Sequence, residues 1–363
     1  MEEQAILNDE VFVLLYGGVI MLSVVSALYL LLRRGNAIAP EVTSPVRLRR
    51  WTAAFLFACA LSHVFWAVYA FHPSTVAYVI VCILDIMMLI PTMSGVLISM
   101  LQDRHRTVWP VTVMLVPVFI LMTMCVIRED EAFFLAGSIY TFALYALLML
   151  YMYFAVRHYG RWLRDNYADL EHKEVWQSLL ILAGFLLFFI MYSTTEGNRI
   201  LSYLLQIDSI IIVGLLLWRV ETLQQLSESA ATDAEPEEEE QKASSPVAAP
   251  TKIGPLLKKR CEDEKLYLQN DLTLAQLAND IGTNRTYLSQ HFAQQGITYN
   301  AYINGLRIRH FILLYREAMA DNRIVTALQL ALESGYRSYS TFSAAFKQYT
   351  GKTVTAWMND PAE

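Results

Sequence analysis

Residues 327–351, ALQLALESGYRSYSTFSAAFKQYTG, hold two short apolar runs that meet at a glycine. Ala327, Leu330 and Ala331 recur at the spacing of one helical face, and Gly335 ends the run. Ser338 then stands where a helix N-cap belongs, with Phe342 and Phe346 facing inward. The pattern reads as helix, tight turn, helix. An earlier stretch, LTLAQLANDIGTNRTYLSQHFAQQ (272–295), repeats it: Leu274, Leu277, Ala278 and Ile281 come first, Gly282 supplies the turn, and Asn284 caps a helix carrying Leu288 and Phe292. Between the two, YNAYINGLRIRHFILLYREAM (299–319) predicts one long amphipathic helix.

Two such units bridged by a long helix, with the closing FKQYTGKT (346–353), resemble the AraC/XylS family of transcription regulators over roughly residues 265–358. The resemblance implies that the second helix of each unit enters the major groove of promoter DNA, N-terminal residues toward the bases. Thr286, Ser289 and Gln290 in the first unit, and Ser340 and Thr341 in the second, match the base-facing positions. Gln pairs with adenine, and Ser or Thr serves several bases. Arg285, Arg307, Arg309, Arg337, Lys347 and Lys352 suit phosphates, which supply affinity without sequence information. The sequence departs from the family pattern where Val354 follows Thr353 in place of proline, where Met358 follows Trp357, and where Ala344 replaces a polar or basic residue. These departures predict modest binding that depends on dimerisation or paired half-sites.

The remainder of the chain is unlike a soluble regulator. Of 363 residues, 55% are hydrophobic and only 17% charged, the composition of a membrane protein. Long apolar runs at 11–32, 51–71, 76–100, 108–127, 132–156, 175–195 and 199–218 each approach or exceed the roughly 20 residues a helix needs to cross the hydrocarbon core. Seven spans are predicted. The acidic start MEEQAILNDE lacks the positive region of a signal peptide, so the first span is expected to be a retained anchor. Arg33, Arg34, Arg47, Arg49, Arg50, Arg104, Arg106, Arg157, Arg161, Arg164 and Lys173 fall in the first, third and fifth loops, whereas the alternate loops hold only Arg128 and Arg199. Basic residues collect on the cytoplasmic side, which places the N-terminus outside and everything after Arg219 in the cytoplasm, on the side where DNA lies.

Net charge divides the chain further. The whole carries −6, but residues 221–251 carry −7 and residues 252–363 carry +3. RVETLQQLSESA (219–230) is read as a cytoplasmic extension of the last span, and TDAEPEEEEQKASSPVAAPTKIGP after it as a flexible acidic linker too poor in apolar residues to order itself. The domain plan is 1–220 as a transmembrane sensor, 221–255 as extension and linker, and 256–363 as the DNA reader. The fold class is all-α, a seven-helix bundle joined by the linker to a soluble double helix-turn-helix domain.

Polar groups inside spans default to functional roles. His63, Asp85, Glu196 with Asn198, and Asp208 are the candidates for sensing a small-molecule or membrane-derived signal, against the plainer role of hydrogen bonding between helices. Pro91 and Pro117 interrupt spans three and four as kink points. Lys173, the one lysine before Lys242, lies in a loop, which excludes a retinal Schiff base in the last span. Cys59, Cys82, Cys125 and Cys261 are widely spaced and read as apolar filling, neither a disulfide framework nor a zinc site. His63, Asp85 and Asp208 are too scattered for a catalytic cluster, so no catalytic residue, metal or cofactor is assigned. The expectation is a one-component regulator in the bacterial inner membrane whose partners are promoter DNA, the lipid bilayer, a second copy of the chain on DNA, and RNA polymerase. A transporter or channel with a regulatory tail is the alternative, for which no internal repeat speaks.

Overall fold

The computed structural model describes residues 9–33, 35–176, 180–181, 183–185, 187–188, 199–226 and 253–359. They are helical, and among them the only β pairing is an isolated bridge between Tyr167 and Thr273. The chain forms two compact units. One comprises Met1–Tyr159 with His172–Ala231, and the other Gly160–Glu171 with Thr232–Glu363.

The N-terminal unit contains α1 (Glu10–Leu32), α2 (Val46–Phe71), α3 (Thr75–Ser99), α4 (Trp109–Met114), α5 (Val116–Arg128), the larger part of α6 (Glu131–Asn166), and α7 (Arg199–Thr222). With Trp109–Arg128 taken as one stretch, six described helices are long and apolar enough to cross a membrane. The run expected over 175–195 lies largely outside the described residues. Large apolar side chains such as Leu14, Leu32 and Ile127 point outward, 67–78% exposed, while Ser23, Ser26, Thr52 and Ser94 are buried between helices. Small polar residues inside with apolar residues outside is an arrangement that suits a membrane-spanning bundle.

The prolines act as their chemistry requires. Pro91 sits inside α3, and the neighbouring Thr92 hydroxyl donates to the Met88 carbonyl at 2.6 Å. Pro117 sits in the first turn of α5, where no N–H is needed, and the helix breaks at Leu115.

A polar clamp holds the end of α7. The Glu221 carboxylate accepts from the Tyr29 hydroxyl and from the backbone N–H groups of Ala37 and Ile38, the latter two at 3.0 and 2.8 Å. The Asn36 amide donates to the Glu221 carbonyl at 2.9 Å, and the Ser44 hydroxyl to the Val220 carbonyl at 2.6 Å. Beyond Thr222 the helix expected over 219–230 does not continue through its described part. Instead the N–H groups of Gln224, Gln225 and Leu226 donate to the carbonyls of His172 and Thr43 and to the Gln102 side chain, at 2.7–2.9 Å. Donors satisfied by neighbouring loops have no need of the helical ladder. Residues 227–252, which hold most of the expected acidic linker, lie outside the described residues.

The C-terminal unit contains α8 (Ile253–Leu256), irregular helical turns over Leu257–Asp263 and Leu266–Leu268, then α9 (Leu274–Asp280), α10 (Arg285–Gln294), α11 (Tyr299–Ala320), α12 (Ala327–Glu333), α13 (Tyr339–Thr350) and α14 (Val354–Asn359). It has two cores, strung along α11. Leu274, Leu277, Leu288, Phe292 and Ile303 build the first. The second is aromatic: Phe311, Phe342, Phe346 and Trp357 are buried with ring centroids 4.5–6.4 Å apart. Each such ring removed from water contributes on the order of 2–3 kcal/mol.

Candidate nucleic-acid interface

The interface is built from two copies of one local device. In the first, the Thr273 hydroxyl accepts from the Gln276 N–H while the Gln276 side chain accepts from the Thr273 N–H, closing a capping box at the start of α9. Gly282 turns the chain with φ +75°, and the Asn284 side chain accepts from the Tyr287 N–H at 2.8 Å to begin α10. In the second, Thr326 caps α12, Gly335 turns with φ +87°, and Ser338 caps α13. Gly335 is doubly required, because a Cβ there would lie 2.7 Å from the Leu268 carbonyl oxygen and its φ is unfavourable for other residues. Leu288 and Phe292 on α10, and Phe342 and Phe346 on α13, anchor the second helices to the cores, so that the opposite faces are presented outward.

Thr286, Ser289, Gln290 and Ser340 are exposed, and Thr341 is half-buried. Arg309, Arg337 and Lys347 are also exposed, Arg285 and Lys352 half-buried. Arg337 pairs with Asp271 at 3.2 Å, which offsets part of its charge.

Arg307 departs from expectation. It is 1% exposed, donates from Nε to the Tyr267 carbonyl and from Nη2 to the Gln269 carbonyl, both at 2.8 Å, and lies 5.5 Å from the Tyr336 ring centroid. Burial pulls the guanidinium below its ordinary pKa and pushes the Tyr336 phenol above its own. A phosphate cannot reach this side chain. Arg307 ties the turn ahead of α9 to α11 and does not belong among the phosphate contacts.

One segment not anticipated from sequence adjoins α10 and α13 within the same unit. Glu171 accepts hydrogen bonds from the Ser338 and Thr341 hydroxyls at Oε2, 2.5 and 2.8 Å, and from the Ser340 hydroxyl at Oε1, 3.2 Å. Arg285 donates from Nε to Asn166 Oδ1 at 2.9 Å. These partners are 119–170 residues apart in sequence, and no local pattern signals them.

In the N-terminal unit, His63 contacts the Cys59 carbonyl through Nδ1 at 2.8 Å and Gln206 Oε1 through Nε2 at 3.2 Å, joining α2 to α7. It borders a narrow apolar cavity with Ser23, Phe55, Tyr145 and Ser209; neither Asp85 nor Asp208 is among the lining residues. Asp85 accepts from the Trp66 indole at 2.6 Å. Asp208 is buried on α7. Glu196 and Asn198 lie outside the described residues. Among the described residues no group of His, Cys, Asp and Glu is placed to hold a metal ion, and the four cysteines are free thiols.

Residues 277–360 match the family model for a helix-turn-helix domain. An uncharacterized HTH-type transcriptional regulator of Staphylococcus aureus strain MRSA252 is 28% identical over 103 residues, and counterparts from strains COL and N315 are 27% identical over the same length. Each match covers 28% of this chain and 13% of the relative. A helix-turn-helix domain is a DNA-binding module. No solved structure matches the chain.

Proposed function

We propose that the chain is a one-component transcription regulator embedded in a bacterial inner membrane, N-terminus outside and C-terminal unit in the cytoplasm. The observation that carries this reading is the union in one chain of six helices able to cross a membrane with a double helix-turn-helix domain. The asymmetry of Lys and Arg between alternate loops supports the orientation. Thr286, Ser289 and Gln290 on α10 and Ser340 and Thr341 on α13 read base edges, while Arg285, Arg309, Arg337, Lys347 and Lys352 contact phosphates. A second copy on adjacent half-sites supplies the affinity that one reader lacks, membrane confinement raises the local concentration of readers, and RNA polymerase is the downstream partner. A small-molecule or membrane-derived signal acts on the packing around His63, Asp85 and Asp208. It reaches the cytoplasm through the end of α7 that Glu221 holds.

Chromatin immunoprecipitation of the tagged full-length protein in its native host tests this, beside a Thr286→Ala/Gln290→Ala double variant. Discrete promoter peaks that vanish in the variant are expected. Absence of peaks across growth conditions, with the protein present in the membrane fraction, would overturn the reading and favour a transporter with a regulatory tail.

A further inference from the structure

The DNA-reading helices are already occupied, by the chain itself. The segment 166–171 belongs to the C-terminal unit and is docked there by its backbone as well as its side chains. Ala168 is buried in the first core, 1% exposed. Its N–H donates to the Leu272 carbonyl at 3.4 Å, and its carbonyl accepts from the Asn300 amide at 2.7 Å and from Asn304 at 3.4 Å. The Asn300 amide also reaches the Tyr167 carbonyl at 3.3 Å. Asp169, itself buried, accepts from the Glu171 N–H at 3.0 Å and so folds the turn that aims Glu171 at α13.

What the segment touches decides its meaning. Glu171 places a carboxylate against three hydroxyls in the first turn of α13, and Asn166 takes Arg285 at the first position of α10. These are the two places where the N-terminal ends of reading helices meet DNA, and where free N–H groups and the helix dipole favour an anion. Ser340 and Thr341 cannot serve Glu171 and a base or phosphate together, and a carboxylate held there repels the DNA backbone.

We propose that Asn166–Glu171 is a tethered competitor that holds the reader closed, and that DNA binds only after the segment leaves. The proposal rests on the DNA-reading function given above. The segment continues directly from α6, whose apolar part is the fifth candidate span, so a shift of that span pulls on the competitor without passing through the acidic linker.

The test uses the full chain in lipid nanodiscs, with retention of a randomised duplex DNA pool as the readout. Glu171→Ala removes the carboxylate. Asn300→Ala loosens the docked backbone without changing charge or either reading helix, which separates release of the segment from simple loss of a negative charge near DNA. Apparent affinity is that of the open form multiplied by its population, so about a tenfold gain is expected for Glu171→Ala and about threefold for Asn300→Ala. Amide exchange at residues 166–171 should rise when the wild type binds DNA. If the wild type retains duplex and neither variant binds more tightly, the competitor is refuted while DNA reading stands. Should no form retain duplex, although exchange shows the C-terminal unit folded in each, both readings fall. A gain with Glu171→Ala alone, and no change in exchange at 166–171, would assign the effect to charge and overturn the closed state.

Discussion

The two units are made of the same element and finish it differently. In the C-terminal unit five successive helices begin at a residue whose side chain accepts a backbone N–H: Thr273, Asn284, Thr298, Thr326 and Ser338. In the N-terminal unit α2 begins at Pro45, α4 at Val108 and α5 at Leu115, none with such a bond, whereas Asp9, Ser74 and Asp130 cap α1, α3 and α6. Short helices of seven to twelve residues are marginal in water and need their ends closed. Helices of 23–26 residues bonded along their length depend less on their ends. The contrast teaches that in one unit information is concentrated at turns, and in the other along helix faces and in a few polar clamps.

Glycine breaks the comparison most sharply. Gly335→Ala forces a Cβ against the Leu268 carbonyl at an unfavourable φ, and about 3 kcal/mol of destabilisation confined to the C-terminal unit is expected. Gly17→Ala on α1 meets nothing within 4 Å and should be neutral or slightly stabilising. Amide exchange resolved by segment measures both in the full chain. Equal costs at the two positions would show that turns carry no special burden.

Next in size is the clamp. Glu221→Ala leaves the Ala37 and Ile38 N–H groups and the Tyr29 hydroxyl without their acceptor, at a cost of about 2 kcal/mol to the N-terminal unit. Detergent-denaturation midpoints read the loss, and a midpoint matching wild type would remove Glu221 as the fastening of α7. Smaller again, Thr326→Ala deletes the cap that accepts from the Gln329 N–H at 3.2 Å and should cost about 1 kcal/mol. Pro45→Ala, at a helix start without a cap, should leave exchange of α2 unchanged.

What could be read from sequence follows the same division. Gly282, Gly335, Asn284 and Ser338 were legible because turn and cap chemistry act within three or four residues. Phe342 and Phe346 were legible from helical period alone. Arg307 was not, since its partners are carbonyls 38 and 40 residues away, and an arginine on a basic helix looks the same whether its head is in water or in a core. The stop of α7 at Thr222 depends on Thr43, Gln102 and His172, all far earlier in the chain. Glu171 is one acidic residue in a polar loop until the fold sets it beside Ser338. The distant contacts that escaped the sequence are the ones that fasten the end of α7 and dock the 166–171 segment.

The smallest expected effect concerns acid. His310 on α11 packs edge-on against Tyr267 at 5.9 Å between centroids. Burial lowers its pKa below the ordinary 6.5, the Lys265 charge adds to that, and Glu317 and Glu333 oppose it. In the unfolded chain the imidazole takes a proton at its ordinary pKa; in the folded unit it resists. The unfolded state therefore binds more protons once pH falls below 6.5, so stability is full above that value and declines as pH drops toward the lowered folded value. Because the ring is half-exposed, solvent screens much of the effect, and only a small shift is expected. Exchange of the second core at about pH 7.5 and about pH 5.5 should show wild type weakening in acid more than His310→Gln. If the two weaken alike, carboxylates elsewhere in the unit govern its acid response and His310 is a packing residue only. The N-terminal unit, which lacks this histidine, serves as the internal reference.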